Sequence, residues 1–131
     1  MTRSSSFVLA VAAAVALTNL QMIEDEKLIK KVRDDTGPYL AQLLAPLADH
    51  PLVGEVRSFG MLAAIELVKD KAGPILFDPV GNVGAICRDH AISGGMMMRA
   101  VRDGMIMSPP LTFGRDDIDK AVGIAKIALD Q

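Results

Sequence analysis

One stretch decides the fold, from Gly94 to Leu111: GGMMMRAVRDGMIMSPPL. Two apolar runs, Met96 to Val101 and Met105 to Met107, flank Asp103-Gly104, a pair that suits the positive backbone dihedrals of a tight hairpin turn. Such a turn predicts the facing pairs Arg102 with Met105, Ala100 with Met107, and Arg99 with Ser108. Pro109-Pro110 then ends the second strand, because proline cannot donate a hydrogen bond to the ladder. We therefore predict a β-hairpin here.

Arg99 is a charge inside the first apolar run, where a guanidinium needs either water or an anion. Side chains alternate along a strand, so one interpretation places Arg99 on a solvated face. The other makes it a receptor for a carboxylate, because the planar, permanently charged guanidinium can form two parallel hydrogen bonds with that group. The residues of the hairpin leave both interpretations open.

The composition of the chain limits the classes of function that it can have. The chain has 131 residues, of which 14 are basic and 16 acidic, for a net charge of −2. This predicts one domain without the basic stripe that nucleic acid requires. A single cysteine, Cys87, excludes an internal disulfide, and one cysteine with two histidines is a poor zinc set, so we expect no metal site. A lone thiol suits the reducing cytoplasm, where we expect the protein to act.

The N-terminal apolar run, Phe7 to Leu17, permits two interpretations. Arg3 followed by an apolar stretch with Ala-x-Ala patterns imitates a secretory signal peptide. Against that, the alanine-rich pattern continues through Thr18 to Ile23, which indicates one continuing helix. The run itself is too short to span a bilayer, so we expect no membrane contact.

The remaining elements follow from periodicity. Apolar residues from Leu28 to Leu47 recur at helical spacing, with a kink expected near Pro38. Val53 to Arg57 and Met61 to Val68 are typical of strands, and Lys69 to Gly81 of a loop. A short helix around Val83 to His90, with Cys87 in its core, should end at Gly94-Gly95. A final helix should begin after Gly114, with Asp117 helping to satisfy free amides. The expected fold class is α+β, a small antiparallel sheet of about four strands with helices packed on one face.

Two motifs carry a resemblance to a known family. The stretch His50 to Leu67, followed by Met97 to Val101 and Met105 to Leu111, closely resembles the C-terminal portion of class III aminotransferases, the ω-amino-acid and amine:pyruvate type. The resemblance runs from Val11 to Leu129. It implies the small domain of a fold type I pyridoxal phosphate enzyme, divided into a non-matching start (1–10), a linking helix (11–24) and the small domain proper (25–131).

The resemblance also implies that a separate large domain supplies part of the active site. In such enzymes a large-domain lysine forms the Schiff base with pyridoxal phosphate, and an amino group moves from an amine or ω-amino acid to a 2-oxo acid such as pyruvate. None of the seven lysines here lies in the family's lysine motif, so we expect no catalytic and no cofactor-binding residue in this chain. Arg99 matches the family's mobile arginine, which clamps a substrate carboxylate. Glycine is usual in the family where Arg102 stands.

Three hypotheses for function follow. In the first, the chain is a truncated C-terminal aminotransferase fragment that is inactive without the lysine domain. In the second, it is a non-catalytic interaction module that forms homo-oligomers through exposed apolar surface on Phe7 to Leu17 and on the methionine-rich strands. In the third, Phe7 to Leu17 is an export signal. None of the three involves nucleic acid.

Overall fold

The computed structural model describes residues 3–73 and 75–131, which form an α+β fold as predicted. Helical segments come first, then a strand pair, a helix, a second strand pair and a last helix. The helical segments are α1 (Arg3–Asp25), α2 (Leu28–Lys31), a π-helical segment (Val32–Thr36), α3 (Gly37–Leu44), a 3-10 segment (Ala45–Asp49), α4 (Asn82–Ser93) and α5 (Arg115–Asp130). The strands are β1 (Val53–Phe59), β2 (Leu62–Leu67), β3 (Arg99–Val101) and β4 (Gly104–Met107).

The four strands form one antiparallel sheet in the order β1-β2-β4-β3. Alternation along the strands gives the sheet two different faces. One face is buried beneath α3, α4 and α5 and includes Ala63, Ile65, Met105 and Met107. The other, which we call the open face, bears no helix among the described residues, so the sheet is covered on one side as predicted.

Pro38 marks a change of helical geometry, where the sequence predicts a kink. The preceding turn, Val32–Thr36, is π-helical, and Pro38 then lies in the first turn of α3, where its missing N–H costs nothing. A Cβ added to Gly37 would lie 3.1 Å from the Cα of Gly60, so this helix crosses the β1–β2 turn at backbone distance. Leu40, Leu44 and Leu47 are buried as the helical spacing predicts, but Ile29 is exposed. The apolar spacing also assigns Ile29 to the buried face, and that part of the prediction is wrong.

Helix α1 is the continuous helix predicted from the alanine-rich pattern. It is longer than the apolar run Phe7 to Leu17, from which we inferred that the segment is too short to span a bilayer. The apolar helix runs to Asp25, so Phe7–Asp25 provides 19 residues of sufficient hydropathy and length to cross a membrane. Length therefore does not exclude a membrane span, although an N-terminal helix of this kind is weak evidence for one. Residues 7–25 are exposed apart from Ile23, which is half-buried, and α1 contacts the rest of the fold through α2.

The ends of α4 and α5 follow the predicted signals. Gly95 takes a φ of +93° just beyond α4, the left-handed conformation that commonly ends a helix. At the start of α5 the backbone N–H of Gly114 donates to the Asp117 carboxylate at 3.1 Å. The helix then packs Ile118, Val122 and Ala125 into the core. Both helix limits could thus be inferred from local chemistry.

A polar link joins α5 to the helix that precedes the sheet. The Arg115 guanidinium pairs with Asp35 at 2.7 Å and lies over the Tyr39 ring at 4.6 Å from its centroid. The Tyr39 hydroxyl donates to Asp119 at 2.6 Å, and this hydrogen bond raises the pKa of Tyr39. Because the link is exposed, we expect it to align the two helices with only a small effect on stability.

Candidate functional site

The hairpin that carries Arg99 forms as predicted, but its register does not. The two turn residues are Arg102 and Asp103, one residue earlier than predicted. The observed facing pairs are Arg99 with Ile106, Ala100 with Met105, and Val101 with Gly104. Arg102 supplies the positive φ, +56°, a conformation that favours glycine and so accounts for the glycine usual at this position in the resembled family. Gly104 instead begins β4, where an added Cβ would lie 3.3 Å from both the Glu66 carboxylate and the Val101 carbonyl.

The corrected register places Arg99 on the open face. Side chains that pair across neighbouring strands share a face, so Arg57, Ala64, Ile106 and Arg99 form one row across all four strands. Three strand spacings separate the two arginines, which is roughly 14 Å between their backbones. Arg99 ends the row on β3, the edge strand.

The two arginines of this row have different surroundings. Arg57 is paired with Glu55 at 3.0 Å and with Glu66 at 3.3 Å, so its charge is already balanced. Arg99 is exposed and forms no side-chain hydrogen bond or ion pair within residues 3–73 and 75–131. Of the two, Arg99 is therefore the guanidinium that is free to donate hydrogen bonds to an incoming carboxylate.

The open face next to Arg99 is apolar. Phe59 is 89% exposed and Leu62 is 53% exposed, and Ala64 and Ile106 lie between them and Arg99. A shallow hollow of about 310 Å³ is lined by these four residues together with Arg57, Ser58 and Ala63. A free arginine at the edge of an apolar surface can hold an organic acid by its carboxylate, provided that another wall covers the remainder of that acid.

Asp103 is the residue of this region whose role the sequence does not predict. Its local sequence indicates a simple turn former, yet it is only 3% exposed and its carboxylate accepts two backbone hydrogen bonds at the start of α4. An Asp-Gly pair carries a strong local turn signal, whereas the amides that Asp103 binds lie about 20 residues away in sequence. Nothing local in the sequence could have indicated this role.

The described residues do not fit a pyridoxal phosphate site. A lysine that forms a Schiff base needs an enclosed, desolvated amine. Here Lys30 is paired with Asp34, Lys126 with Asp130, and Lys31 and Lys71 donate to backbone carbonyls. Six of the seven lysines are exposed and Lys31 is half-buried. No step of cofactor chemistry can therefore be assigned to them.

The remaining reactive side chains occupy structural positions. Cys87 is buried, as predicted for a core residue, and burial raises the pKa of its thiol. His50 accepts the Leu52 amide on Nδ1 and lies 3.4 Å from Asp130 through Nε2, which fastens the start of the sheet to the end of α5. Within the described ranges, histidine, cysteine and acidic side chains form no cluster of three or more that could hold a metal ion.

Comparison with known proteins identifies the family. The profile of the family Aminotransferase class-III matches residues 9–129, nearly the whole chain. The chain belongs to the class III aminotransferases. The match includes most of α1, so this helix is part of the family's own sequence and lies within the same alignment as the Arg99 hairpin.

Individual class III aminotransferases are similar over the same region. The putrescine–pyruvate aminotransferase of Pseudomonas aeruginosa is 50% identical over 92% of this chain, and the diaminobutyrate–2-oxoglutarate transaminase of Halomonas elongata is 38% identical over 93%. The omega transaminase of Pseudomonas jessenii, solved in complex with PMP, superposes with a TM-score of 0.88 at 38% identity over 92% of this chain.

These relatives are much longer proteins. The matched region is 26% of the length of each of the two curated enzymes and 26% of the Pseudomonas jessenii structure. The α+β fold with its single open sheet face is accordingly the small domain of a fold type I enzyme. Full-length class III aminotransferases use pyridoxal phosphate.

Proposed function

We propose that this chain acts as the small-domain quarter of a pyridoxal-phosphate-dependent aminotransferase that moves an amino group from an amine or ω-amino acid to a 2-oxo acid such as pyruvate. The observation that carries the proposal is the free guanidinium of Arg99 at the edge of the open face. The 50% identity to a putrescine–pyruvate aminotransferase supports an amine donor and a 2-oxo acid acceptor.

In this proposal Arg99 binds the carboxylate of the acid substrate. Its guanidinium can present two N–H groups in parallel to the two oxygens, which fixes the orientation of the acid as well as binding it. Exposed to water, such a pair contributes only about 0 to 1 kcal/mol. Covering the open face with a large domain would exclude water and raise the contribution to about 1.5 to 3 kcal/mol. Strong binding of the carboxylate by Arg99 therefore requires a large domain to form the other wall of the cleft.

A grafted enzyme tests the proposal. In the grafted enzyme, residues 9–129 of this chain replace the matching segment of the Pseudomonas aeruginosa putrescine–pyruvate aminotransferase. We expect it to bind pyridoxal phosphate and to transaminate pyruvate with putrescine as donor. Arg99→Ala in the grafted enzyme should raise the KM for pyruvate roughly 10- to 100-fold, the equivalent of about 1.5 to 3 kcal/mol, with a smaller change in the KM for putrescine, which has no carboxylate.

Arg99→Lys is the matched control, because it keeps the charge and loses the planar pair of donors. We expect a KM for pyruvate between those of the unmodified grafted enzyme and Arg99→Ala. A folded, cofactor-loaded grafted enzyme without turnover would refute the assignment of function, and an unchanged KM in Arg99→Ala would refute the role of Arg99.

By itself the chain should not catalyse transamination, since none of its described lysines is enclosed. The test is an absorbance scan of the purified chain with added pyridoxal phosphate, followed by borohydride reduction and mapping of the labelled residue. We expect no stable visible band. A stoichiometric band that borohydride fixes on one lysine would contradict this proposal.

A second candidate function, self-association, is favoured by helix α1. Its side chains Phe7, Val15, Leu17 and Leu20 are each more than half exposed, and each would gain about 1.5 to 3 kcal/mol from full burial. The methionine-rich stretch, for which the sequence also predicts such a surface, contributes less: Met97 is 90% exposed, but Met98, Met105 and Met107 lie in the core. We therefore propose that a homo-oligomer of the isolated chain would form through α1.

Light scattering across a wide concentration range tests this second candidate. We expect Leu17→Glu to shift the chain toward monomer, and Ile127→Glu, an equally exposed apolar position on α5, to leave the association unchanged. A clean monomer at every concentration, or equal effects of the two variants, would exclude an α1 interface.

For the cellular setting we propose the cytoplasm, without a nucleic acid or membrane partner. The buried free thiol of Cys87 is compatible with a reducing compartment. The family match begins at residue 9, so α1 has a counterpart in the family and need not be a membrane anchor or an export signal. Cell fractionation with N-terminal sequencing tests both points: recovery in the membrane fraction, or a start within α1, would contradict them.

A further inference from the structure

Asp103 is a buried carboxylate with three backbone attachments. Its two side-chain oxygens accept from the N–H of Gly81 at 2.8 Å and the N–H of Gly84 at 3.0 Å. Its own carbonyl accepts from the N–H of Leu67 at 3.0 Å. A buried charge needs such partners, and the amino end of a helix, with its free amides, is a favourable place for a negative group. Asp103 thus ties the β3–β4 turn both to β2 and to the start of α4.

The fit between this turn and α4 is close. A Cβ added to Gly84 would lie 2.2 Å from the Arg102 carbonyl oxygen and 2.9 Å from the Cα of Asp103. One added to Gly81 would lie 3.4 Å from the Cα of Arg102. The turn therefore rests directly on the helix backbone, so its position is set by contact as well as by the hydrogen bonds of the Asp103 carboxylate.

Arg99 is joined to this turn by a short strand. Strand β3 has three residues, Arg99–Val101, and as the edge strand it is hydrogen-bonded to β4 alone. Immediately after Val101 the chain enters the turn that Asp103 holds. A short strand supported along one side can shift or twist when its turn moves, and the guanidinium, at the far end of that strand, would move with it.

We propose that Asp103 is the positioning residue for Arg99: by fastening the hairpin turn to the start of α4, it fixes where the guanidinium meets the substrate carboxylate. This inference rests on the proposed function of Arg99. It assigns to Asp103 no contact with substrate or cofactor. Loss of the Asp103 carboxylate should therefore weaken recognition of acid substrates and leave recognition of the amine intact.

The test uses the grafted enzyme with pyruvate and putrescine varied independently. Asp103→Asn keeps one acceptor oxygen for two amides, and Asp103→Ala keeps none. We expect the KM for pyruvate to rise roughly 3- to 10-fold in Asp103→Asn and further in Asp103→Ala, with the KM for putrescine and the kcat within about twofold, by analogy with other lost hydrogen-bond partners. Gly84→Ala displaces the same turn sterically and should reproduce the split if Asp103→Ala fails to fold.

Leu47→Ala is the control for simple loss of stability. Leu47 is buried in the 3-10 segment beside β1, away from the hairpin. It should lower thermal stability and leave the KM for pyruvate unchanged. In the full chain by itself, amide exchange at Ala100 and Val101 should accelerate in Asp103→Asn and not in Leu47→Ala.

The outcomes separate this inference from the function on which it rests. If Arg99→Ala leaves the KM for pyruvate unchanged, the proposed role of Arg99 fails first. If Arg99→Ala raises that KM but the Asp103 and Gly84 variants do not, or if they raise the two KM values together, the positioning role of Asp103 is refuted while the proposed function stands.

Discussion

Two identical substitutions at two helical glycines should have opposite effects on stability. Gly84 is buried in the first turn of α4, where an added methyl group would lie 2.2 Å from the Arg102 carbonyl oxygen. Gly123 is exposed in the middle of α5, and nothing lies within 4 Å of the position that an alanine methyl group would occupy there. Both changes give alanine, the best helix former, so the difference between them isolates the contact between α4 and the hairpin.

The magnitudes follow from the contacts. In an exposed helix, alanine is more stable than glycine by about 0.5 to 1 kcal/mol, so Gly123→Ala should stabilise the chain by that amount. At Gly84 the methyl must push a backbone carbonyl aside, a strain of about 1 to 3 kcal/mol. The same movement stretches the bond from the Gly84 amide to the Asp103 carboxylate, at a further cost of about 1.5 kcal/mol. After the helix gain is subtracted, we expect a net loss of roughly 1.5 to 4 kcal/mol.

Urea unfolding at 25 °C, followed by circular dichroism, measures the effect. The midpoint should fall for Gly84→Ala and rise for Gly123→Ala, with the slope against urea unchanged because the same surface is exposed on unfolding. If Gly84→Ala were as stable as the original chain, the turn could not rest on α4 as described, and the structural basis for the role of Asp103 would be lost.

Three further predictions concern other parts of the fold. Cys87 should react with thiol reagents only as fast as the core opens, because burial raises its thiol pKa; rapid labelling of the native chain would contradict this. Hydrogen bonds from Arg33 and Lys30 lower the pKa of Asp34 from 3.8 to about 2, and this pKa should rise in Arg33→Ala when it is measured by NMR. The native pairing stabilises the fold at pH values above the unfolded pKa, and this stabilisation is lost as the pH falls through about 2. Arg115→Lys should cost about 0.5 to 1 kcal/mol in urea unfolding through lost stacking on Tyr39, and no change would show that the stacking is not stabilising.

Much of the fold could be predicted because it rests on local chemistry. The periodicity of apolar residues indicated the helical segments between Leu28 and Leu47, Gly95 marked the end of α4 by its left-handed conformation, and Gly114 with Asp117 marked the start of α5. The extended runs likewise predicted strands where β1 and β2 lie. The only partial alternation from Met61 to Val68 suggested that both faces of the second strand are covered, which the exposed Leu62 contradicts. These signals depend on residues close together in sequence, so no tertiary knowledge was needed to interpret them.

The register of the hairpin could not be predicted, because it depends on contacts with residues that are distant in sequence. Asp103-Gly104 is a strong local turn signal, but the Asp103 carboxylate is used by amides of Gly81 and Gly84 and its carbonyl by Leu67. These distant bonds move the turn back by one residue, so Arg102 bears the left-handed conformation. As a result Arg99 faces Ile106 instead of Ser108. Arg99 could be singled out from the sequence as a candidate, whereas its cross-strand neighbours and the hydrogen bonds that hold the adjacent turn could not be predicted.

Helix α1 shows a related limit. Its apolar pattern indicated a helix and also allowed a signal peptide or an interface, because exposure is not encoded in one segment alone. In the structure Phe7, Val15 and Leu17 are exposed, and the family match begins at residue 9. In a full-length relative, the remaining three quarters of the enzyme would provide a partner for this helix.

The most direct test of the central claim is the acceptor selectivity of the grafted enzyme, measured as the ratio of kcat/KM for pyruvate to kcat/KM for propanal, which has no carboxylate. If Arg99 grips the acid group, Arg99→Ala should reduce this ratio by roughly 10- to 100-fold, chiefly by lowering the pyruvate value. An unchanged ratio in a folded, cofactor-loaded Arg99→Ala enzyme would contradict the claim that this small domain supplies the carboxylate grip.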